Sequence, residues 1–209
     1  MPTYTAPTRD TRFVINELLD LASYGNLPGF ENATQDMIDT VVNEAGKFCS
    51  KVLAPLNQIG DEQGCTRHED GSVTTPDGFK EAYAQLVDAG WTTLGGPEEF
   101  GGQGLPHVLS FAFEEYIGTA NQAFAMYPGL TSGAAAALQA AGSEEQKAMY
   151  LPKMISGEWS GTMNLTEPHC GTDLGMIRTN AVPNGDGSYA ITGTKLFISA
   201  GEHDLTSNI

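Results

Sequence analysis

Over roughly the first three-quarters of the chain apolar residues return every three or four positions, and after Glu158 they return at alternate positions, so the sequence predicts helices followed by strands. Phe13, Val14, Leu18, Leu19 and Leu21, after the polar start Thr8-Arg9-Asp10, predict a short amphipathic helix over 10–23 with Asp10 as its N-cap, broken by Gly25, Pro28 and Gly29. Asn32-x-x-Gln35 has the form of a capping box and precedes Ile38, Val41, Val42, Ala45, Phe48, Val52, Leu53 and Leu56, which predict one long helix bent at Pro55. Residues 60–75 are polar and predict an exposed loop. Thr75, with Pro76 at the first helical position, opens a helix carrying Phe79, Tyr83, Leu86 and Val87 that Gly90 ends. Two more helices are expected over 106–120 and 129–141, the second with a small-residue face from Gly133 to Ala137, where a helix, an acyl chain or a flavin could approach closely. Ser143-x-x-Gln146 caps a last helix ending near Gly157.

Beyond it, Trp159–Thr166, Thr179–Pro183, the run through Tyr189 and Ile191, and Leu196–Ile198 read as strands, with turns at Asn184-Gly185-Asp186-Gly187 and at Gly193. The expected fold class is α+β: an N-terminal all-α helical domain followed by the start of an antiparallel β domain. The expected division is an N-terminal extension over 1–31, a helical domain over 32–157 and the beginning of a β domain over 158–209. So few strands would leave edges unpaired, and a fragment of a longer protein is expected.

Charge narrows the functional classes. Twenty-six acidic residues against ten basic give a formal charge of −16, a field that repels nucleic-acid phosphate and anionic membranes. No apolar run is long enough to span a bilayer. Cys49, Cys65 and Cys170 are odd in number and contain no CxxC pair, which argues against a disulfide framework or zinc site and fits a reducing compartment. The first ten residues lack the basic-then-apolar order of a secretory signal, so a cytoplasmic protein is expected. Cys65, His68, Glu69 and Asp70 share a polar loop without a second ligand cluster, and no metal site is expected there. The glycine-rich loop from Leu94 to Gly104 is no phosphate loop, since no Lys-Ser/Thr follows and Glu98 and Glu99 would oppose an anion.

Two segments carry the chemistry. Met163-Asn164-Leu165-Thr166-Glu167-Pro168-His169-Cys170-Gly171-Thr172-Asp173 and Tyr189-Ala190-Ile191-Thr192-Gly193-Thr194-Lys195-Leu196-Phe197-Ile198-Ser199 set hydroxyls and amides on a turn beside a hairpin, equipment for a flat, polar, phosphate-bearing cofactor. In order and spacing they resemble the acyl-CoA dehydrogenase family of flavoproteins. That family has a Thr-Glu-Pro, small residue, Gly-Ser-Asp segment, then Tyr-x-(Leu/Ile)-x-Gly-x-Lys-x-Trp-Ile-(Thr/Ser). Asn164, Cys170, Thr172 and Phe197 depart from the pattern; Phe197 keeps an aromatic face and Thr172 keeps the hydroxyl. The loop from Pro97 to Gly104 and the segment from Glu144 to Lys153 are also similar to family segments. The opening residues resemble the N-terminal extension of a longer subgroup that includes 3-methylmercaptopropionyl-CoA dehydrogenases.

The resemblance implies FAD as cofactor, lined by Met163, Asn164, Leu165, Thr166, Gly171, Thr172, Phe197, Ile198 and Ser199. Thr166 would lie near the pyrimidine edge and Ser199 near N5, and Thr172 would also meet the CoA portion of the substrate. It further implies α,β-dehydrogenation of a short or methylthio acyl-CoA, an electron-transferring flavoprotein as acceptor, and a homo-oligomer when full length. The general-base Glu is expected beyond residue 209, so no catalytic residue is assigned within the chain, and the segment alone is expected to be inactive and to bind FAD poorly. From the residues, Glu167 shapes its loop, His169 is an exposed turn residue and Cys170 a small buried one. Two other readings stand beside this one: a flavin oxidase or monooxygenase on the same scaffold, and a helical interaction module without catalysis.

Overall fold

A computed structural model describes residues 3–209. Met1 and Pro2, which open both the expected extension and the segment read as non-secretory, lie outside the described residues. The first helix, α1 (Thr8–Arg12), runs into a π-helical turn, Phe13–Leu18. Its N-cap position is held by Pro7, without a side-chain cap. Asp10 therefore lies in the first turn, where its carboxylate faces the positive end of the helix dipole, and is not the cap. Ile15 and Leu21 are buried, whereas Phe13 and Leu18 stay 54% and 66% exposed. Asp20, in the left-handed region at φ 47°, turns the chain into a 3-10 turn, Leu21–Tyr24.

Helix α2 (Gln35–Phe48) is capped by Thr34, whose Oγ1 accepts the Met37 amide at 3.3 Å. The expected Asn32–Gln35 box does not form, because the Ala33 amide is already bonded to the Phe30 carbonyl and Thr34 is the residue with extended geometry. A π-helical turn, Cys49–Leu53, joins α2 to α3 (Ala54–Gln63). Pro55 sits in the first turn of α3, and its missing N–H and bulky ring account for the widened turn just before it. The helix thus extends to Gln63, shortening the loop expected from residue 60, and a small hairpin of β1 (Thr66–Arg67) and β2 (Val73–Thr74) occupies the rest.

Helix α4 (Phe79–Asp88) starts later than the sequence suggested. Gly78, at φ 84°, precedes it, and Thr75 is committed elsewhere. Helix α5 (His107–Ala120) is followed after one residue by α6 (Gln122–Ala141), which starts at 122 and not at 129. The buried Asn121 makes this early start: its Oδ1 accepts the Phe124 amide at 3.0 Å and its Nδ2 donates to the Leu53 carbonyl at 3.3 Å. Pro128 is carried inside α6. Helix α7 (Glu144–Ser156) has the capping box expected at Ser143 and Gln146, with bonds of 3.2 and 2.9 Å, and ends at Gly157 with φ 82°.

These helices bury Phe79, Leu53, Leu86, Leu109, Tyr116 and Phe124 in one core, each full burial contributing about 1.5–3 kcal/mol. Trp91 stacks on Phe113 at 4.7 Å and 12°, and Phe79 meets Phe124 edge-on at 5.6 Å. A second cluster, Ala135, Leu151, Met154 and Ile155, joins α6 to α7.

After α7 the strands are shorter than expected. β3 is Trp159–Ser160, not Trp159–Thr166, and pairs in parallel with β6 (Ser207–Asn208). β4 (Asn180–Pro183) and β5 (Tyr189–Thr192) form the expected antiparallel hairpin, in register from Asn180↔Thr192 to Pro183↔Tyr189. Leu196–Ile198 is no strand: Phe197 is left-handed at φ 56°, which breaks the extended geometry that its apolar neighbours suggested. The architecture is nonetheless the one expected, helices first and short strands after. Among the described residues no helix is long and apolar enough to cross a membrane.

Candidate functional site

Thr-Glu-Pro begins a tight turn. The Glu167 amide donates to the Cys170 carbonyl at 2.9 Å and the Cys170 amide returns a bond at 3.1 Å. Glu167 points inward, its side chain only 2% exposed. Its Oε2 accepts the Arg178 amide at 2.9 Å, while its Oε1 accepts the Thr179 amide at 3.0 Å, the Thr179 hydroxyl at 2.5 Å and the Lys195 ammonium at 2.9 Å. The Thr179 hydroxyl first, then the Arg178 amide and Lys195, hold this carboxyl well below the usual carboxylate range. A carboxylate so committed cannot serve as a general base near neutral pH, and its role is to shape the turn.

Lys195 also donates to the Leu165 carbonyl at 3.0 Å, and the Leu196 amide donates to the Thr166 carbonyl at 2.9 Å. Thr162 donates its hydroxyl to the Ser199 carbonyl. The two motifs therefore run side by side, stitched along their length by backbone and side-chain bonds. The amides of Leu165, Thr166, Ile198 and Ser199 donate to no group among the described residues. Met163 is 55% exposed and Phe197 87% exposed; Asn164, Leu165, Gly171, Thr172 and Ile198 are exposed, and Thr166 and Ser199 partly so. Free donors beside an open aromatic face fit a flat, polar group such as a flavin. The Thr172 hydroxyl has no partner among the described residues.

His169 is partly exposed, with Nε2 2.9 Å from the Met176 carbonyl and 3.4 Å from Glu167 Oε2, and Cys170 is buried. Glu167, His169 and Cys170 bring their potential ligand atoms within 4.8 Å of one another. The Lys195 ammonium already neutralises the carboxylate there, so a metal ion would have to displace it.

A second feature was not located from the sequence. A cavity of about 1130 Å³ opens between α5, α6, the loop from Trp91 to His107 and the segment from Leu19 to Phe30. The small face of α6, through Gly129, Ser132, Ala135 and Ala136, forms one wall. That face was the available signal, but it could not say what stands opposite. Thr131, also on this wall, accepts the Gly161 amide at 3.2 Å, which places the cavity next to the strand that leads into Met163.

Residues 203–204 clamp the ribbon to the helices. The His203 Nδ1 accepts the Leu205 amide at 3.3 Å, so Nε2 carries the proton and donates to the buried Ser160 hydroxyl at 2.9 Å. Tyr127 meets the His203 ring edge-on at 5.1 Å. Asp204 Oδ1 accepts the Thr75 amide at 3.0 Å and its hydroxyl at 2.7 Å.

A family model described as acyl-CoA dehydrogenase, N-terminal domain, matches residues 34–158. The chain is 48% identical over 207 residues to a 3-methylmercaptopropionyl-CoA dehydrogenase of Ruegeria pomeroyi, covering 99% of this chain and 35% of that protein. It is 36% identical over 210 residues to a butyryl-CoA dehydrogenase of Syntrophomonas wolfei, covering 99% of this chain and 34% of that one. Among solved structures, butyryl-CoA dehydrogenase from Megasphaera elsdenii superposes with a TM-score of 0.65 at 27% identity, over 78% of this chain and 41% of its own. An acyl-CoA dehydrogenase complexed with FAD from Bacillus anthracis gives 0.63 at 26% identity, over 82% of this chain and 28% of its own. The chain spans about a third of the length of the curated relatives it matches.

Proposed function

Because this chain belongs to the acyl-CoA dehydrogenase family, we propose that the whole protein is an FAD-dependent enzyme that dehydrogenates an acyl-CoA thioester between its α and β carbons. The observation that carries this reading is the 48% identity, sustained over 207 residues, to the Ruegeria pomeroyi enzyme. That likeness also favours a short or methylthio acyl group. When bound, FAD supplies the hydride acceptor. The residues of this chain that would hold it are Met163, Asn164, Leu165, Thr166, Gly171, Thr172, Phe197, Ile198 and Ser199, and the open amides and exposed Phe197 ring support the assignment. Thr172 would in addition meet the CoA portion of the substrate.

Glu167, tied to Thr179, Arg178 and Lys195, is too weakly basic to accept the α proton, so the base that removes it is proposed to come from outside residues 1–209. The α5/α6 cavity is read as the acyl site, since its walls are mainly apolar side chains and small residues and it adjoins the proposed flavin ribbon through Thr131 and Gly161. An electron-transferring flavoprotein is the proposed acceptor, a homo-oligomer the proposed assembly and the cytoplasm the proposed location.

The test uses the full-length protein. Purified anaerobically, it should carry bound FAD whose visible band bleaches on adding butyryl-CoA or 3-methylthiopropionyl-CoA, and reoxidise faster with an electron-transferring flavoprotein than with oxygen. Faster reoxidation by oxygen would favour an oxidase, and absence of flavin would end the proposal.

A further inference from the structure

We propose that the segment from Leu19 to Phe30 is the gauge of acyl-chain length, a wall of the thioester pocket added from outside the family's common domain. This rests on the acyl reading of the α5/α6 cavity. The family match begins at residue 34, after this segment, whereas the alignments to the Ruegeria and Syntrophomonas enzymes cover 99% of the chain. The wall therefore belongs to the extended relatives and lies outside the part matched by the family model.

The segment is fastened at both ends and open in the middle. Leu21 is 4% exposed within the main core, and Phe30 packs against the same core. Between them the chain folds back through successive turns, the Leu27 amide bonding the Tyr24 carbonyl at 2.8 Å and the Phe30 amide bonding the Leu27 carbonyl at 3.0 Å. Tyr24 and Leu27 line the cavity yet remain 45% and 43% exposed. The same cavity is lined by Gly129 of α6, where an added Cβ would meet nothing within 4 Å. Two large side chains, on a loop anchored at both ends, share this cavity with the small residues of α6, and trimming or enlarging them changes the room it offers.

In an apolar pocket one methylene more or less changes selectivity by about 10–200-fold. Trimming the wall therefore admits longer chains and filling it excludes them. The experiment compares the full-length, FAD-loaded enzyme with its Tyr24→Ala, Leu27→Ala and Leu27→Phe variants across saturated acyl-CoAs from butyryl to dodecanoyl. The expected result is a rise of at least about tenfold in the ratio of kcat/KM for octanoyl over butyryl in the alanine variants. The same ratio should fall in Leu27→Phe, with FAD content and Tm unchanged throughout. An unchanged chain-length profile in soundly folded, flavin-loaded variants overturns the proposal while leaving the dehydrogenase reading intact. A loss of FAD or of Tm in all three assigns the segment to scaffolding and likewise overturns it. If the unaltered enzyme neither binds nor oxidises any thioester in the series, the dehydrogenase reading falls and this inference with it.

Discussion

Glu167 shows how far one residue can be read from its neighbours. Pro168 after it restricts the backbone and predicts a loop-shaping role, which the hydrogen bonds bear out. Its partners Thr179 and Lys195, 12 and 28 residues along, are invisible to any local pattern. Because its folded pKa lies far below the unfolded value of about 4.3, its contribution is complete above that value and drains away as pH falls through the range beneath. Glu167→Gln should lower Tm at pH 7, and the gap to the unaltered protein should narrow steadily as pH falls below about 4.3; a gap that stays constant with pH contradicts this. His203 works at higher pH. Burial pushes its pKa down, so the unfolded chain takes up protons first as pH drops through about 6.5, and stability declines from there. A His203→Gln variant should start less stable but show a flatter Tm profile between pH 7 and 5, and parallel profiles would refute it.

Among the elements, local signals succeeded where the rest of the fold agreed with them. Ser143-x-x-Gln146 forms its capping box, and Ser143→Ala should cost about 1 kcal/mol by chemical denaturation. The equivalent pattern at Asn32 fails because Phe30 is drawn against the core and its carbonyl takes the Ala33 amide, moving the helix start to Thr34. The helix expected over 129–141 begins at 122 because Asn121, buried and bonded to Leu53, caps it there. The two π-helical turns left no periodic trace, since each shifts the register by only one residue. The glycine-rich loop was legible as a connector, but its tightest point was not. A Cβ on Gly102 would stand 2.0 Å from the Gly96 carbonyl oxygen, so Gly102→Ala should destabilise by about 3 kcal/mol or more, visible as a lowered denaturation midpoint. A midpoint within error of the unaltered protein would show that the loop can relax.

At the scale of the molecule, the order of helices then strands was legible, and so were the two motifs that the fold lays side by side. The bonds that join them were not, because they rest on positive φ at Phe197 and on long-range pairs such as Lys195 to Leu165 and Leu196 to Thr166. The β4–β5 hairpin is exposed along both strands, with Ile191 at 75%. A lone two-stranded hairpin is marginal in water. In residues 1–209 its amides should exchange with deuterium far faster than those of α2 and α5, and comparable protection would count against this picture. The Thr75–Asp204 clamp carries a consequence for biosynthesis. At ribosomal speeds of about 5–20 residues per second, Asp204 emerges roughly 6 to 26 s after Thr75, given their separation of 129 positions. Throughout that delay the nascent helices must wait with one anchoring hydroxyl still wetted, so this clamp closes in vectorial order, after the helices it fastens have been made.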